Sequence, residues 1–296
     1  MATDLRLAIP VTRKAPRLGD DAVAWVMVAP ALVLMLTLYV YPILQVLAIS
    51  VTEPKPGLAN YGELFDSGAI QRVLWTTTRI CAATTAIAVL LGYVVSYVMT
   101  AGSERLQRRI LATVVLPLWI SALVRAFAWV VLLRREGVFN SALLSLGLID
   151  RPLALIWNEL GVVIGMVHYM LPYAVLPLYA NMRDIDQRCI AAARGLGASR
   201  RQTFFRIFLP LSVPGIVGAG ILVFVYSLGF FVTPAILGGG KTLMIAEFIR
   251  LQIVDILRWG TGTMLATVLI ATVLLLVAVV GRLVGFRRIF GGARSL

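Results

Sequence analysis

RDIDQRCIAAARGLGASRRQTFFRIFLP, residues 183–210, is the stretch on which the architecture turns. Six arginines make it too polar to lie in hydrocarbon, and it is too long for a tight turn. Ile185, Cys189, Ala192 and Ala193 fall at spacings that share one helical face. Gly195 and Gly197 then mark a break. Ser199 is placed to cap a second helix, in which Phe204, Phe205, Phe208 and Leu209 are apolar and Arg200, Arg201 and Arg206 are polar. Pro210 introduces the apolar run that follows. The pattern predicts helix, turn, helix. Two readings of such an element stand side by side. It lies in a membrane interface with its arginines on headgroups, or it fits a groove on a partner protein. The small residues at Ala191, Ala192, Ala193 and Gly197 permit close approach.

Apolar runs extend from this stretch in both directions. Of 296 residues, 60% are hydrophobic and only 14% charged. A soluble domain carries about 45–50% apolar and about 25% charged residues. This balance fits a surface that faces lipid. Six segments reach the roughly 20 apolar residues that span a bilayer: 22–50, 74–100, 110–133, 155–179, 211–237 and 260–284. Prolines inside them (Pro30, Pro42, Pro117, Pro172, Pro177, Pro214, Pro234) are tolerated where packed neighbours satisfy the freed carbonyls. The expected organisation is an N-terminal tail over 1–21, one six-helix membrane domain over 22–284 and a C-terminal tail over 285–296. The fold class is an all-α membrane protein.

Charge sets the orientation. The side holding both termini, the loop near 101–109 and the 183–210 stretch carries 17 Lys and Arg residues, and the opposite side carries 8. The excess places both termini in the cytoplasm of a multi-pass membrane protein. The net charge of +13 does not point to nucleic acid, because the arginines cap apolar runs instead of forming one aromatic-interleaved patch. The first apolar run is too long for a signal-peptide core and stays as a helix. Two cysteines, Cys81 and Cys189, suggest neither a disulfide framework nor a metal site. On the outer side, segments 52–72, 135–153 and 238–258 read either as docking surfaces for an extracytoplasmic partner or as connectors.

The 183–210 stretch resembles the EAA loop of binding-protein-dependent ABC transporter permeases, whose core pattern is E-A-A, three residues, G, nine residues, I-x-L-P. Ala192 and Ala193 match the alanines, and Gly197 precedes Ile207, Leu209 and Pro210 at the required spacing. Ala191 stands where the pattern has glutamate. Further stretches, LPLW at 116–119, VRAFAW at 124–129, GVFN at 137–140, LPYAVLP at 171–177 and FVTP at 231–234, resemble spermidine/putrescine-type first permease subunits. That branch also holds permeases for opines, other amines and organic anions. The resemblance implies a type I importer fold. It implies a second permease subunit, a cytoplasmic ATPase dimer and an extracytoplasmic solute-binding protein as partners. The coupling contact would fall on Ala192, Ala193, Gly197, Ala198, Ser199, Ile207, Leu209 and Pro210, and a polyamine-like cation is the substrate it favours.

The chain itself carries no catalytic pattern. Gly240, Lys241 and Thr242 resemble the end of a nucleotide-binding loop, but Ala235 replaces its first glycine. His168 is the only histidine, so a zinc site or a His-based triad lacks partners. No cofactor is expected, and ATP hydrolysis is expected in another chain. Ionisable and aromatic groups within the spans are the pathway or gating candidates: Trp119, Arg125, Glu159, His168, Tyr173, Tyr226 and Phe230. Glu159 is the best acidic candidate for an amine. Arg125, near mid-span, suits an interior structural or gating role because like charges repel. The rings offer cation–π faces but are also ordinary packing residues.

Overall fold

A helix that begins at Asp20 widens just before a proline. The computed structural model describes residues 20–284, and the side chains of 23–282. The predicted tails over 1–21 and 285–296 lie almost wholly outside the described residues. The chain divides into two units, Met1–Ala48 and Ile49–Leu296. Among the described residues every regular element is helical.

In the first unit α1 (Asp20–Met35) passes through a π turn, Leu36–Val40, into α2 (Tyr41–Thr52), whose end belongs to the second unit. Pro42 explains the π turn. It has no N–H to give and its ring crowds the carbonyl four residues back, so the ladder opens by one residue. The Tyr41 N–H reaches Leu36 O instead. No described side chain of this unit is buried.

The second unit continues with α3 (Ala59–Asp66), α4 (Gly68–Ala101), α5 (Glu104–Val115), α6 (Ala122–Leu133), α7 (Val138–Ser145) and α8 (Glu159–Arg183). After them come α9 (Gln187–Gly195), α10 (Arg200–Thr203), α11 (Leu209–Leu228), α12 (Val232–Leu237), α13 (Ile245–Arg250) and α14 (Trp259–Val284). Helices α4, α8 and α11 form the centre through Ile80, Ala88, Met166, Met170, Ala174 and Val223. Close approach depends on small residues, as expected where lipid supplies no hydrophobic drive. A Cβ on Gly92 would lie 2.9 Å from that of Ala174. A second cluster joins α4, α13 and α14 through Ile70, Ile245, Phe248 and Met264.

Among the described residues five helices are long and apolar enough to cross a membrane, and a bent pair makes a sixth if counted as one span. The bent pair corrects the expectation of a single helix over 110–133. Its halves, Glu104–Trp119 and Ala122–Ser145, meet at 101°. Pro117 sits in a 3₁₀ turn over Leu116–Trp119, Ile120 is extended, and Ser121 precedes the next helix. The fifth expected span is displaced as well. Its helix runs from Arg200 to Leu228, stops at Gly229, and leaves 232–237 as the separate α12.

Candidate functional site

The 183–210 stretch is a helix–turn–helix whose first helix is capped at both ends and whose second is capped at its start. The Asp186 carboxylate accepts the Arg188 N–H at 2.8 Å and starts α9. At the end of α9, the Ala198 N–H donates to Ala193 O at 3.0 Å and the Gly197 N–H to Arg194 O at 3.1 Å. This crossed pair is a Schellman stop, which needs a left-handed residue at Gly197. Its φ is +87°. Ser199 then starts α10 by a capping box: its Oγ accepts the Gln202 N–H at 3.2 Å, and Gln202 Oε1 accepts the Ser199 N–H at 2.8 Å.

The second helix does not stop at Pro210. A π turn over Phe204–Phe208 carries α10 into α11, with the Leu209 N–H bonded to Phe204 O. The cause is the one seen at Pro42, a proline without a donor one residue on. On the α4 side Tyr97 clasps this turn, its ring centroid 5.3 Å from Phe204 and 5.2 Å from Phe208. Tyr93 shares a hydrogen bond with Ser212 at 3.0 Å.

Ala198 and Ile207 are partly exposed, and Gly197, Ser199 and Pro210 are exposed. The face drawn through Ile185, Cys189, Ala192 and Ala193 is split. Ile185 packs inward with Ile190, while Cys189 and Ala192 face out. Leu196, which the pattern reading passed over, stands 90% exposed at the tip. A large apolar side chain next to the required glycine is the signal that marks it.

Five of the seven pathway candidates gather around Tyr169. The guanidinium of Arg125 lies 4.0 Å over the Tyr169 ring. Tyr169 also meets Phe230 at 4.3 Å, and Tyr173 meets Tyr226 at 4.8 Å. His168 Nδ1 accepts the Trp129 indole N–H at 3.1 Å. Arg125 is 7% exposed, and its Nε and Nη1 have no hydrogen-bond partner among the described residues. A buried guanidinium is held here by a ring face, an attraction of about 2 kcal/mol when desolvated. Trp129 and Tyr169, absent from the seven, are the residues that connect the group. Their helical spacing from Arg125 and Tyr173 was visible, but their mutual contact is tertiary.

The other two candidates stand apart. Glu159, at the start of α8, is ion-paired with Arg79 of α4. Both side chains are exposed by two fifths or more, so the pair contributes little to stability. Trp119 is 88% exposed at the bend of the third span.

Residues 88–289 match the family model described as the binding-protein-dependent transport system inner membrane component. The chain belongs to that family. It is a membrane permease component of an ABC importer, and ATP hydrolysis resides in a separate subunit. It is 33% identical over 222 residues to the spermidine/putrescine transport system permease protein PotB of Haemophilus influenzae, covering 75% of this chain and 77% of that one. PotB of Escherichia coli strain K12 is also 33% identical, over 74% of this chain and 80% of its own. A solved bacterial alginate ABC transporter, in complex with an alginate pentasaccharide-bound periplasmic protein, has a chain of the same fold. Its TM-score is 0.73 at 19% identity, covering 92% of this permease and 97% of that chain.

Proposed function

We propose that this permease pairs with a second permease subunit to enclose the path of a small organic solute, a polyamine-like cation being favoured. In this reading both termini are cytoplasmic. Residues 183–210 seat in a cytoplasmic ATPase dimer, and an extracytoplasmic binding protein delivers the solute. The observation that carries it is the continuity of one helix from Arg200 to Leu228. That helix is ~43 Å long at 1.5 Å per residue. Its capped start directly follows the exposed tip at Leu196, and its last turn carries Tyr226 beside Tyr173. Displacing the tip therefore moves a wall of the ring cluster. Coupling of this kind requires the two nucleotide states of the ATPase to contact the tip differently. The polyamine reading rests on the two PotB relatives. Tyr173, Tyr226 and Phe230 offer ring faces on which an ammonium group is attracted.

Of the alternatives, an opine, another amine or an organic anion, one observation favours the carboxylate-bearing solutes. Arg125 occupies the face of Tyr169 and keeps two donor atoms free, a setting suited to a carboxylate. Reconstitution of the importer with its binding protein tests both. Stimulation of ATP hydrolysis by putrescine or spermidine supports the cation reading. No response to either, with a response to a carboxylate-bearing solute, overturns it. Cross-linking from Cys189 or from a Leu196→Cys variant tests the coupling contact: the captured protein is the ATPase, and its absence from the product refutes that contact.

A further inference from the structure

The opposite end of α8 carries a recess that neither the coupling contact nor the ring cluster uses. Its volume is about 610 Å³, and its walls include Arg134, Arg135, Glu136, Trp157, Asn158 and Lys241. Three cations face one carboxylate. None of the three joins an ion pair among the described residues.

The walls are fixed in place. Asn140 is fully buried and donates to Leu153 O at 3.0 Å and Arg134 O at 3.3 Å, while accepting the Leu153 N–H at 2.8 Å. Asn158 caps α8 by accepting the Gly161 N–H at 2.9 Å. Trp157 has a left-handed backbone, φ 60°, and its N–H is held by Leu237 O at 2.9 Å. Its ring lies against Gly239, where a Cβ would come within 2.5 Å of Trp157 Cδ1. The side chain is nevertheless half exposed, at 53%. A bulky residue held in a conformation that costs free energy, with its ring left open to solvent, is a mark of a functional surface. A rigid exposed Trp flanked by arginines is also the composition of an interface anchor.

We propose that this recess docks an acidic, partly apolar segment of the solute-binding protein. The proposal rests on the permease reading and on its orientation, which put the recess on the outer side. The occupant follows from charge and shape. Three unpaired cations spread around a concavity match several carboxylates on one folded segment, whereas a lipid phosphate offers a single centre. The rigid indole supplies the apolar anchor that steered charges alone do not.

The experiment uses the complete importer in nanodiscs, titrated with its solute-binding protein while ATP hydrolysis is followed. The R134E/R135E/K241E variant is expected to raise the half-saturating concentration about tenfold or more, and to lose most of its dependence on salt. Arg151→Glu, an exposed charge outside the recess, leaves half-saturation unchanged. Lys241→Gln alone, on an exposed loop, gives a smaller shift in the same direction and serves if the triple variant does not assemble. Unchanged half-saturation in both recess variants overturns the docking site. So does a shift that follows the anionic-lipid content of the nanodisc instead of the binding protein, which assigns the recess to headgroups. If the unsubstituted importer gives no response to the binding protein, the proposed delivery of solute by that protein falls, and this proposal with it.

Discussion

Gly197 turns the chain at φ +87°, and a Cβ there would meet no atom within 4 Å. Any effect of a substitution is therefore a backbone effect. Gly197→Ala should cost about 1–2 kcal/mol at the Schellman stop and reduce the ATPase that co-purifies with the permease. Gly195→Ala, equally open but without positive φ, should retain it. Glu247 argues from charge. It lies in the segment 238–258 with Oε2 buried and unpartnered, and burial raises its carboxyl above the ordinary 4.5, partly opposed by nearby Arg250. The folded chain therefore holds a proton that the unfolded chain releases. The associated stability is present below the ordinary carboxylate value and is lost as pH rises through the raised one. Thermal unfolding in detergent should show this decline, and Glu247→Gln should flatten it. At this scale the sequence was legible where chemistry is local. Gly197 and Ser199 follow from turn and cap rules, and Arg125 from the cost of a charge in a span. Leu196 was marked only by its place beside Gly197, and Trp157 was not legible. A left-handed tryptophan is held by Leu237 O and Gly239, some 80 residues away in the chain.

Proline shows what can and cannot be read at the level of elements. Pro172 and Pro177 lie inside the unbroken α8, Pro117 lies at the bend of the third span, and Pro42 and Pro210 each follow a π turn. The same missing donor has three outcomes, and the residue type alone does not choose between them. Span count was thus legible from apolar length, while the bend and the fusion of α10 to α11 were not. The fusion yields a prediction. In Pro210→Ala, residue 210 regains an N–H that can pair with Arg206 O and close the ladder as α-helix. Removing the extra residue of a π turn rotates the tip against the span by roughly 100°, one residue of an α-helix. Phe208, now 5% exposed, should become reactive as a Cys variant, and Phe205, now 55% exposed, should become protected. Solute-stimulated ATP hydrolysis should fall severalfold. An unchanged labelling pattern would show that the clasp by Tyr97, not Pro210, sets the turn.

Across the whole molecule, α8 fixes which sites share a side. Its first residue adjoins the recess at Asn158, and its last precedes the 187–195 helix. Its 25 residues rise ~37 Å, more than the roughly 30 Å hydrocarbon core. The basic recess and the 183–210 tip therefore lie at opposite ends of this span, and the proposed topology, which follows the lysine and arginine excess, puts the tip in the cytoplasm. The native cysteines allow this to be tested without altering the protein. Cys189 is exposed on α9, and Cys81 is fully buried in the core. A membrane-impermeant maleimide should modify one thiol per chain in inside-out vesicles and none in intact spheroplasts. Denaturation should reveal the second. Lys241→Cys should add a thiol that reacts in spheroplasts. Modification of Cys189 from outside would invert the topology, and with it the assignment of tip to ATPase and recess to binding protein.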